Sequence, residues 1–392
     1  MRTQSVVCKS LDSRQRVSEG THSIYRYPAR FSPEVARALI EHYTKPGELI
    51  VDPFVGSGTS IIEARTAGRR GVGTDLSSLA VFIAQTKIKG ASKEDAWQIR
   101  RWAATVEPHK YSTEIHGTAS HDPHYLRNIS CVNTWRIREF FLRTLSQIPE
   151  TFTSHQKAVT RLALLRTGQW AVDGRRTFPK PTQVREHFAK DIDKTLSELH
   201  KFRRLTKMSD ANTPCNGRQR SLVVCTDAEN ISSYINQVSN TKAKLILTSP
   251  PYPGVHVLYH RWQLLGGKET AFPFLIAGEL DGHGESYYTL GGRHAKGRST
   301  YFDRIARIFG EVRKAAHQRA TIAQLVAFSD LKQQLPKYLA AMEEAGYTEV
   351  SEQESGKLFR KIREVPNRKW HANLKGSVEA SREVLLLHRI TR

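Results

Sequence analysis

The sequence predicts an α/β fold: a Rossmann-like, mostly parallel sheet, closed by an antiparallel hairpin and interrupted by a large helical insertion. Three observations carry that reading. Near the N-terminus a strand, a glycine-rich turn, a helix and a second strand follow one another, and each strand ends in an aspartate. Apolar strand runs return after residue 220, and the last of them fit a hairpin. Between the two blocks, residues 81–220 read as amphipathic helix rich in Trp, Arg and His.

The elements follow in order. Ser32-Pro33-Glu34 starts a helix, with Ser32 as N-cap and Pro33 at the first helical position. Val35, Ala38, Leu39 and His42 stand at helical spacing, and Pro46-Gly47 ends the helix. Glu48–Asp52 reads as a short buried strand, Ser60–Ala67 as a helix and Gly71–Asp75 as a second strand. Strands return at Ser221–Asp227 and Lys244–Thr248. Residues 266–300, rich in Gly, His and Tyr, read as surface loop. Tyr301–His317 reads as a helix, Ile322–Phe328 as a buried strand and Leu335–Ala345 as a helix ended by Gly346. Phe359–Glu364 and Glu383–His388 fit the closing hairpin. Residues 1–80 and 221–392 therefore form one sheet domain, with 81–220 inserted in it.

The 392 residues suit two domains, or one domain with a large insertion. An apolar share of 39% supports a core and argues against a disordered basic tail. Sixty Lys and Arg stand against 38 Asp and Glu, a net charge of +22 that points to a polyanionic partner. The insertion holds 25 Lys and Arg against 13 Asp and Glu, or +12 of that charge. Met1–Ser5 leads into no apolar signal region, and no run of about 18 apolar residues occurs. The four cysteines, Cys8, Cys131, Cys215 and Cys225, form no C-x-x-C pair. Neither a zinc ribbon nor a disulfide framework is written here, and no metal site is expected. The expectation is a reduced, cytoplasmic protein, associated with the nucleoid of a prokaryote.

Two motifs carry chemistry. Asp52-Pro53-Phe54-Val55-Gly56-Ser57-Gly58-Thr59 is a glycine turn after a strand, where a ligand can approach the backbone and free N–H groups of the next helix. It is not a triphosphate loop, because no Lys follows Gly58. It lacks the third glycine of a dinucleotide fingerprint, because Ile61 stands there. Asp75, ending the next strand, suits the two hydroxyls of a ribose, since one carboxylate accepts both. The bland alternative is a tight turn beside a solvated strand-end Asp. The second motif is Thr248-Ser249-Pro250-Pro251-Tyr252, after the apolar run Leu245-Ile246-Leu247. Two prolines fix the backbone and leave carbonyls free. With the Ser249 hydroxyl and the Tyr252 ring they form a cradle for an exocyclic amine on a planar ring. Standing alone, the motif would more simply be a proline-stiffened loop.

Together, and in this order, the two motifs resemble those of the S-adenosylmethionine-dependent amino DNA methyltransferases, most closely the cytosine-N4 group. Tyr27-Pro28-Ala29-Arg30-Phe31-Ser32-Pro33 resembles the segment before the family's cofactor motif. The resemblance covers residues 22–80 and 221–390. It implies S-adenosyl-L-methionine as cofactor and duplex DNA as substrate, with a cognate restriction endonuclease as a partner of such enzymes. It implies cofactor contacts from Tyr27, Phe31, Asp52, Phe54, Gly56, Ser57, Gly58, Thr59, Asp75, Leu76 and Thr248, with Asp227 on the adenine. Ser249, Pro250, Pro251 and Tyr252 become the catalytic residues: the first two hold the amine and Tyr252 stacks on a flipped base. Ser249, in place of an acid or amide, favours cytosine by resemblance, although a hydroxyl can also bond an adenine N6 amine.

Two departures stand out. Many cytosine-N4 enzymes place the catalytic motif first, and here it comes second. About 140 residues also separate Asp75 from the third motif at Cys225–Ala228. The insertion is therefore expected to read the DNA target. Arg136, Arg138, Arg143, Arg161, Arg166, Arg175, Arg176, Arg203 and Arg204 are candidates as a group, as are Arg293, Lys296 and Arg298 after the catalytic motif. For any single one, a solvated surface cation is the plainer reading. Adenine-N6 methylation of DNA, guanine-N2 methylation of RNA and a non-catalytic DNA-binding scaffold are the competing functions.

Overall fold

The computed structural model describes all residues except 1–6, 8, 12–19, 27–30, 107–121, 212–217, 254–260, 282–287, 289, 291–294, 352–357, 365–381 and 392. The first helix, α1, is Pro33–Tyr43, followed by strand β1 (Leu49–Asp52), helix α2 (Thr59–Thr66), β2 (Arg70–Asp75) and α3 (Ser78–Lys89). The helices α4 (Lys93–Thr105), α5 (Pro123–Leu126), α6 (Trp135–Ser146), α7 (Ser154–Val172) and α8 (Pro181–Ala211) come next. Then follow β3 (Ser221–Cys225), a 3-10 helix (Ala228–Gln237), β4 (Ala243–Thr248) and the hairpin β5 (Trp262–Leu264) and β6 (Lys268–Thr270). The chain closes with α9 (Phe272–Ala277), α10 (Ala295–Ala315), β7 (Ala316–Val326), α11 (Leu331–Glu344), β8 (Tyr347–Glu349), β9 (Arg360–Glu364) and β10 (Arg382–Ile390).

One eight-stranded sheet runs β3-β2-β1-β4-β7-β10-β8, with β9 also on β10. The strands β3, β2, β1, β4 and β7 pair in parallel, whereas β10 pairs antiparallel with β7, β8 and β9. The sequence-predicted α/β class and its antiparallel closure are both present. The predicted hairpin partner β9 covers only residues 382–386 of β10; β8 covers 388–390 on the same edge.

Strand β1 is buried along its whole length, as a central parallel strand must be. Its alternation sends Ile50 into one apolar cluster with α1, Leu245, Leu325 and Leu385. Leu49 and Val51 face the other side, against the 3-10 helix, α10 and α11. A third cluster holds α3 to α8 together. Helix α3 belongs to both halves: Leu79, Phe82 and Ile83 join the helical cluster, whereas Val81 and Ala84 meet Ile61 and Val223 at the sheet.

Several elements differ from the sequence expectation. In α1 the buried stripe is Val35, Ala36, Leu39 and Ile40, and His42 is exposed. The buried face is therefore turned from the predicted one, with Ala36 and Ile40 in place of Ala38 and His42. Ser32 precedes α1, but its side chain caps no N–H. Residues 266–300 are not merely surface loop: β6, α9 and the first turn of α10 lie there. Trp262, Leu264, Phe272, Phe274 and Ile276 are buried in the helical cluster, so the hairpin and α9 complete the insertion's core. Eight glycines in residues 266–300 masked that apolar run. Helix α10 starts six residues before Tyr301 and ends two residues before His317. Strand β7 starts at Ala316, six residues early, because residues 317–319 are polar and partly or fully exposed there. Helix α11 begins at Leu331, where the Asp330 carboxylate caps the Gln333 N–H at 3.1 Å. Pro336 lies inside it.

Candidate active site

Strands β1, β2, β3 and β4 end at Asp52, Asp75, Cys225 and Thr248. They are parallel and aligned, with Asp52 beside Gly73 and Asp75 beside Cys225. Their following turns therefore gather at one edge of the sheet, around the switch in strand order between β1 and β4.

Asp52 ties the two motifs together. Its carboxylate accepts from the Phe54 N–H at 3.0 Å, from the Thr248 hydroxyl at 2.6 Å and from the Ser60 hydroxyl. Burial pushes the Asp52 carboxyl up to about 6, against the three hydrogen bonds; the nearby Asp75 adds to the rise. Gly56 has φ 49° and donates its N–H to Asp75 at 2.9 Å. Gly58 has φ 90°, and a Cβ there would sit 2.9 Å from the Cβ of Ala84. These two glycines are therefore required by backbone and packing. Ser57 and Thr59 are buried in the same turn and Phe54 is half-buried.

Asp75 accepts a second N–H, from Ser77, at 2.8 Å. Burial pushes it too up to about 6, opposed by the Ser77 and Gly56 bonds. Beyond it a cavity of about 410 Å³ is lined by Leu76, Cys225, Thr226, Asp227 and Arg304. Asp227 caps the 3-10 helix through the Glu229 N–H at 3.0 Å and receives Arg304 at 3.2 Å. A carboxylate offers about four lone-pair positions, so Asp75 and Asp227 each retain acceptor capacity. Two acids, an apolar Leu76 flank and this volume fit an adenosine. Arg304, on α10, was not found from sequence; nothing marks one arginine of a helix that faces a distant strand end. Phe31 is 8% exposed in the cluster around α1, and Tyr27 lies outside the described residues.

The Thr248–Tyr252 turn is anchored at every residue but one. Thr248 bonds Asp52 as above, and the Ser249 hydroxyl donates to the Leu325 carbonyl of β7 at 2.9 Å. The Tyr301 hydroxyl donates to the Pro251 carbonyl at 2.9 Å, and burial holds that phenol protonated. The Tyr252 hydroxyl donates to Glu383 at 2.7 Å, and Glu383 also faces Arg363 at 3.6 Å. The Pro250 carbonyl accepts from no described residue. Because the Ser249 proton is spent on Leu325, its oxygen presents lone pairs as an acceptor. Leu325, Tyr301 and Glu383 escaped the sequence reading because they lie 76, 50 and 131 residues from their partners.

Several of the arginines singled out for DNA have intramolecular partners. Arg166 donates to Asp191 and to the Ser23 and Ile24 carbonyls, the last at 3.1 Å. Arg161 donates to the Ile276 carbonyl at 3.0 Å, Arg175 to the Trp170 carbonyl at 2.6 Å, and Arg138 to Glu139 at 2.9 Å. Arg143 stands 3.9 Å from Glu139. Arg136, over the Trp135 ring, Arg176 and Arg204 are exposed, and Arg203 is half-buried. Arg293 and the side chains of Lys296 and Arg298 lie outside the described residues.

Residues 7–86 match the family described as DNA methylase. That stretch includes the glycine turn and Asp75. The chain is 29% identical over 77 residues to the Type II methyltransferase M.MjaII of Methanocaldococcus jannaschii, covering 20% of this chain and 14% of that protein. It is 38% identical over 72 residues to M.MvaI of Kocuria varians, covering 18% and 16%. It is 40% identical over 76 residues to M.Cfr9I of Citrobacter freundii, covering 19% and 24%. The matched segments span less than a quarter of these relatives' lengths.

Proposed function

We propose that this protein is a DNA methyltransferase that uses S-adenosylmethionine to methylate the N4 amine of cytosine in duplex DNA, in restriction–modification or in marking of host DNA. The observation that carries the proposal is the bond from Thr248 to Asp52, which fixes the Ser-Pro-Pro-Tyr turn beside the glycine turn. The DNA-methylase match of residues 7–86 supports it. Asp75 would hold the ribose hydroxyls of the cofactor, Asp227 and Leu76 its adenine, and the glycine turn its amino-acid end. When bound, S-adenosylmethionine supplies an electrophilic sulfonium methyl. Attack by the amine nitrogen on that methyl would break the carbon–sulfur bond, with S-adenosylhomocysteine as leaving group and the amine proton passing to water. The amine is a weak nucleophile, because its lone pair is delocalised into the ring. Ser249 Oγ and the Pro250 carbonyl accept its two N–H groups and direct that lone pair outward. Held geometry is then the main source of rate, worth about 7–11 kcal/mol in good intramolecular reactions. Tyr252, steadied by Glu383, stacks on the flipped base, and the basic insertion grips the duplex.

Nucleoside mass spectrometry after incubation with S-adenosylmethionine and duplex DNA tests this. N4-methylcytosine is expected, and Ser249→Ala should slow its formation about tenfold to a hundredfold, as loss of one hydrogen bond of about 1–3 kcal/mol implies. N6-methyladenine instead, or N2-methylguanine in RNA, would overturn the base assignment. Full activity in both Ser249→Ala and Tyr252→Ala would remove the turn from the mechanism.

A further inference from the structure

A second cavity, of about 490 Å³, lies between α5 and the β5–β6 hairpin, apart from the catalytic turn. Its lining includes His124, Arg127, Asn128, Arg261, Lys268 and Glu269. Four of those six carry or can carry positive charge, and Glu269 alone is acidic. Arg127 and Lys268 are exposed, and their side chains have no hydrogen-bonding or ionic partner among the described residues. The third cation is fixed in place. Arg261 has only 14% of its side chain exposed and donates to Asp281 at 2.5 Å. Asp281 also accepts from His124 at 2.9 Å and from the Tyr288 hydroxyl at 3.0 Å. A carboxylate buried to 1% exposure thus organises the wall from behind and leaves Arg127 and Lys268 free in front.

The backbone is constrained at the same place. Asn128 and Leu265 have φ 64° and 51°, the two positive values among described non-glycine residues. Asn128 lines the cavity, and its amide donates to the Glu269 carbonyl at 2.7 Å. Leu265 leads into Gly266 and Gly267, and Gly267 lines the cavity as well. Such conformations persist where the surroundings hold them, often at ligand sites. The wall is also joined to the cofactor edge: Ser78, three residues after Asp75, donates to the Leu280 carbonyl at 2.6 Å.

We infer that this cavity binds one backbone phosphate of the DNA substrate, held by Arg127, Arg261 and Lys268; the inference rests on the DNA methyltransferase reading. A phosphodiester is a monoanion with two acceptor oxygens. A guanidinium fork and an ammonium converging on one opening match it, whereas a neutral base edge needs no such excess of cations. Phosphate contacts fix register on the duplex without reading sequence.

The test uses the full chain and a fluorescein-labelled duplex, with binding measured across a salt series. The variants are Arg127→Ala, Lys268→Ala, the double variant and Lys268→Arg, each checked for an unchanged melting temperature. The slope of log affinity against log salt is expected to fall by about 0.9 in the double variant, the value for one lost phosphate contact. The loss should be equal on duplexes of different sequence, and Lys268→Arg should restore most of it. Wild-type slope in the double variant would overturn the inference while leaving methylation intact. A loss confined to one sequence, with no change in slope, would also overturn it and make the cavity a base-reading pocket. Binding with the expected slope change, but no methyl transfer to DNA by the wild type, would sink the enzymatic reading and keep the phosphate site.

Discussion

Asp75 holds the glycine turn through Gly56 and, in the proposed function, the cofactor ribose as well. Its carboxyl, raised by burial to about 6, makes that second role depend on pH. Protonation converts an acceptor into a donor and spoils a site built for two ribose hydroxyls. Cofactor affinity should therefore be full above about pH 7 and be lost as the pH falls through 6. Calorimetric titration with S-adenosylmethionine from pH 5 to 8 would show this, and Asp75→Asn should give weak, pH-independent binding. A flat wild-type profile would remove Asp75 from the cofactor site. At this scale the sequence was informative wherever backbone geometry forces the residue. Gly56 and Gly58 occupy positive φ, and two prolines stiffen the Ser-Pro-Pro-Tyr turn, so both motifs could be read without coordinates. It was silent on Glu383 and Tyr301, which matter only through contacts across the fold.

At the scale of elements, the helical insertion is tied to the sheet by charge inside the molecule. Arg166 on α7 meets Asp191 on α8 and the carbonyls at the end of the Thr21–Ser23 3-10 helix. His22 in that short helix bonds Glu63 of α2 at 2.6 Å, and Arg37 of α1 bonds the same Glu63 at 2.8 Å. Asp191 is 3% exposed and would be left with Thr167 and His187 if Arg166 were removed. Stripping one partner from such a pair costs about 3 kcal/mol. Arg166→Ala should lower the melting temperature clearly and leave the salt slope of DNA binding unchanged. The opposite pattern would return Arg166 to the nucleic-acid surface. Helix periodicity marked residues 81–220 as helical but could not separate buried cations from solvated ones. The distinction depends on what packs above each side chain, and the sequence does not record it.

For the whole molecule, the net charge of +22 is a statement about long-range attraction, while the cavity beside Asp227, the cofactor site in the proposed function, is local. Salt should separate the two. A protein making 6–10 phosphate contacts loses about 10³–10⁵ in affinity between 50 and 200 mM salt. DNA binding is expected to fall on that scale, with S-adenosylmethionine affinity changing little, as parallel titrations at both salts would reveal. Equal loss of both would mean that salt acts on the fold. The sequence by itself determined the parallel sheet, the two strand-end motifs and the cationic bias, because these are written in local runs, turn residues and composition. Tertiary structure alone decided that residues 262–277 complete the insertion's core, that Ser249 spends its proton on Leu325, and that Asp281 arms a cationic cavity. Each of those joins residues far apart in the chain, and burial, which a sequence does not state, fixes which polar groups must find one another.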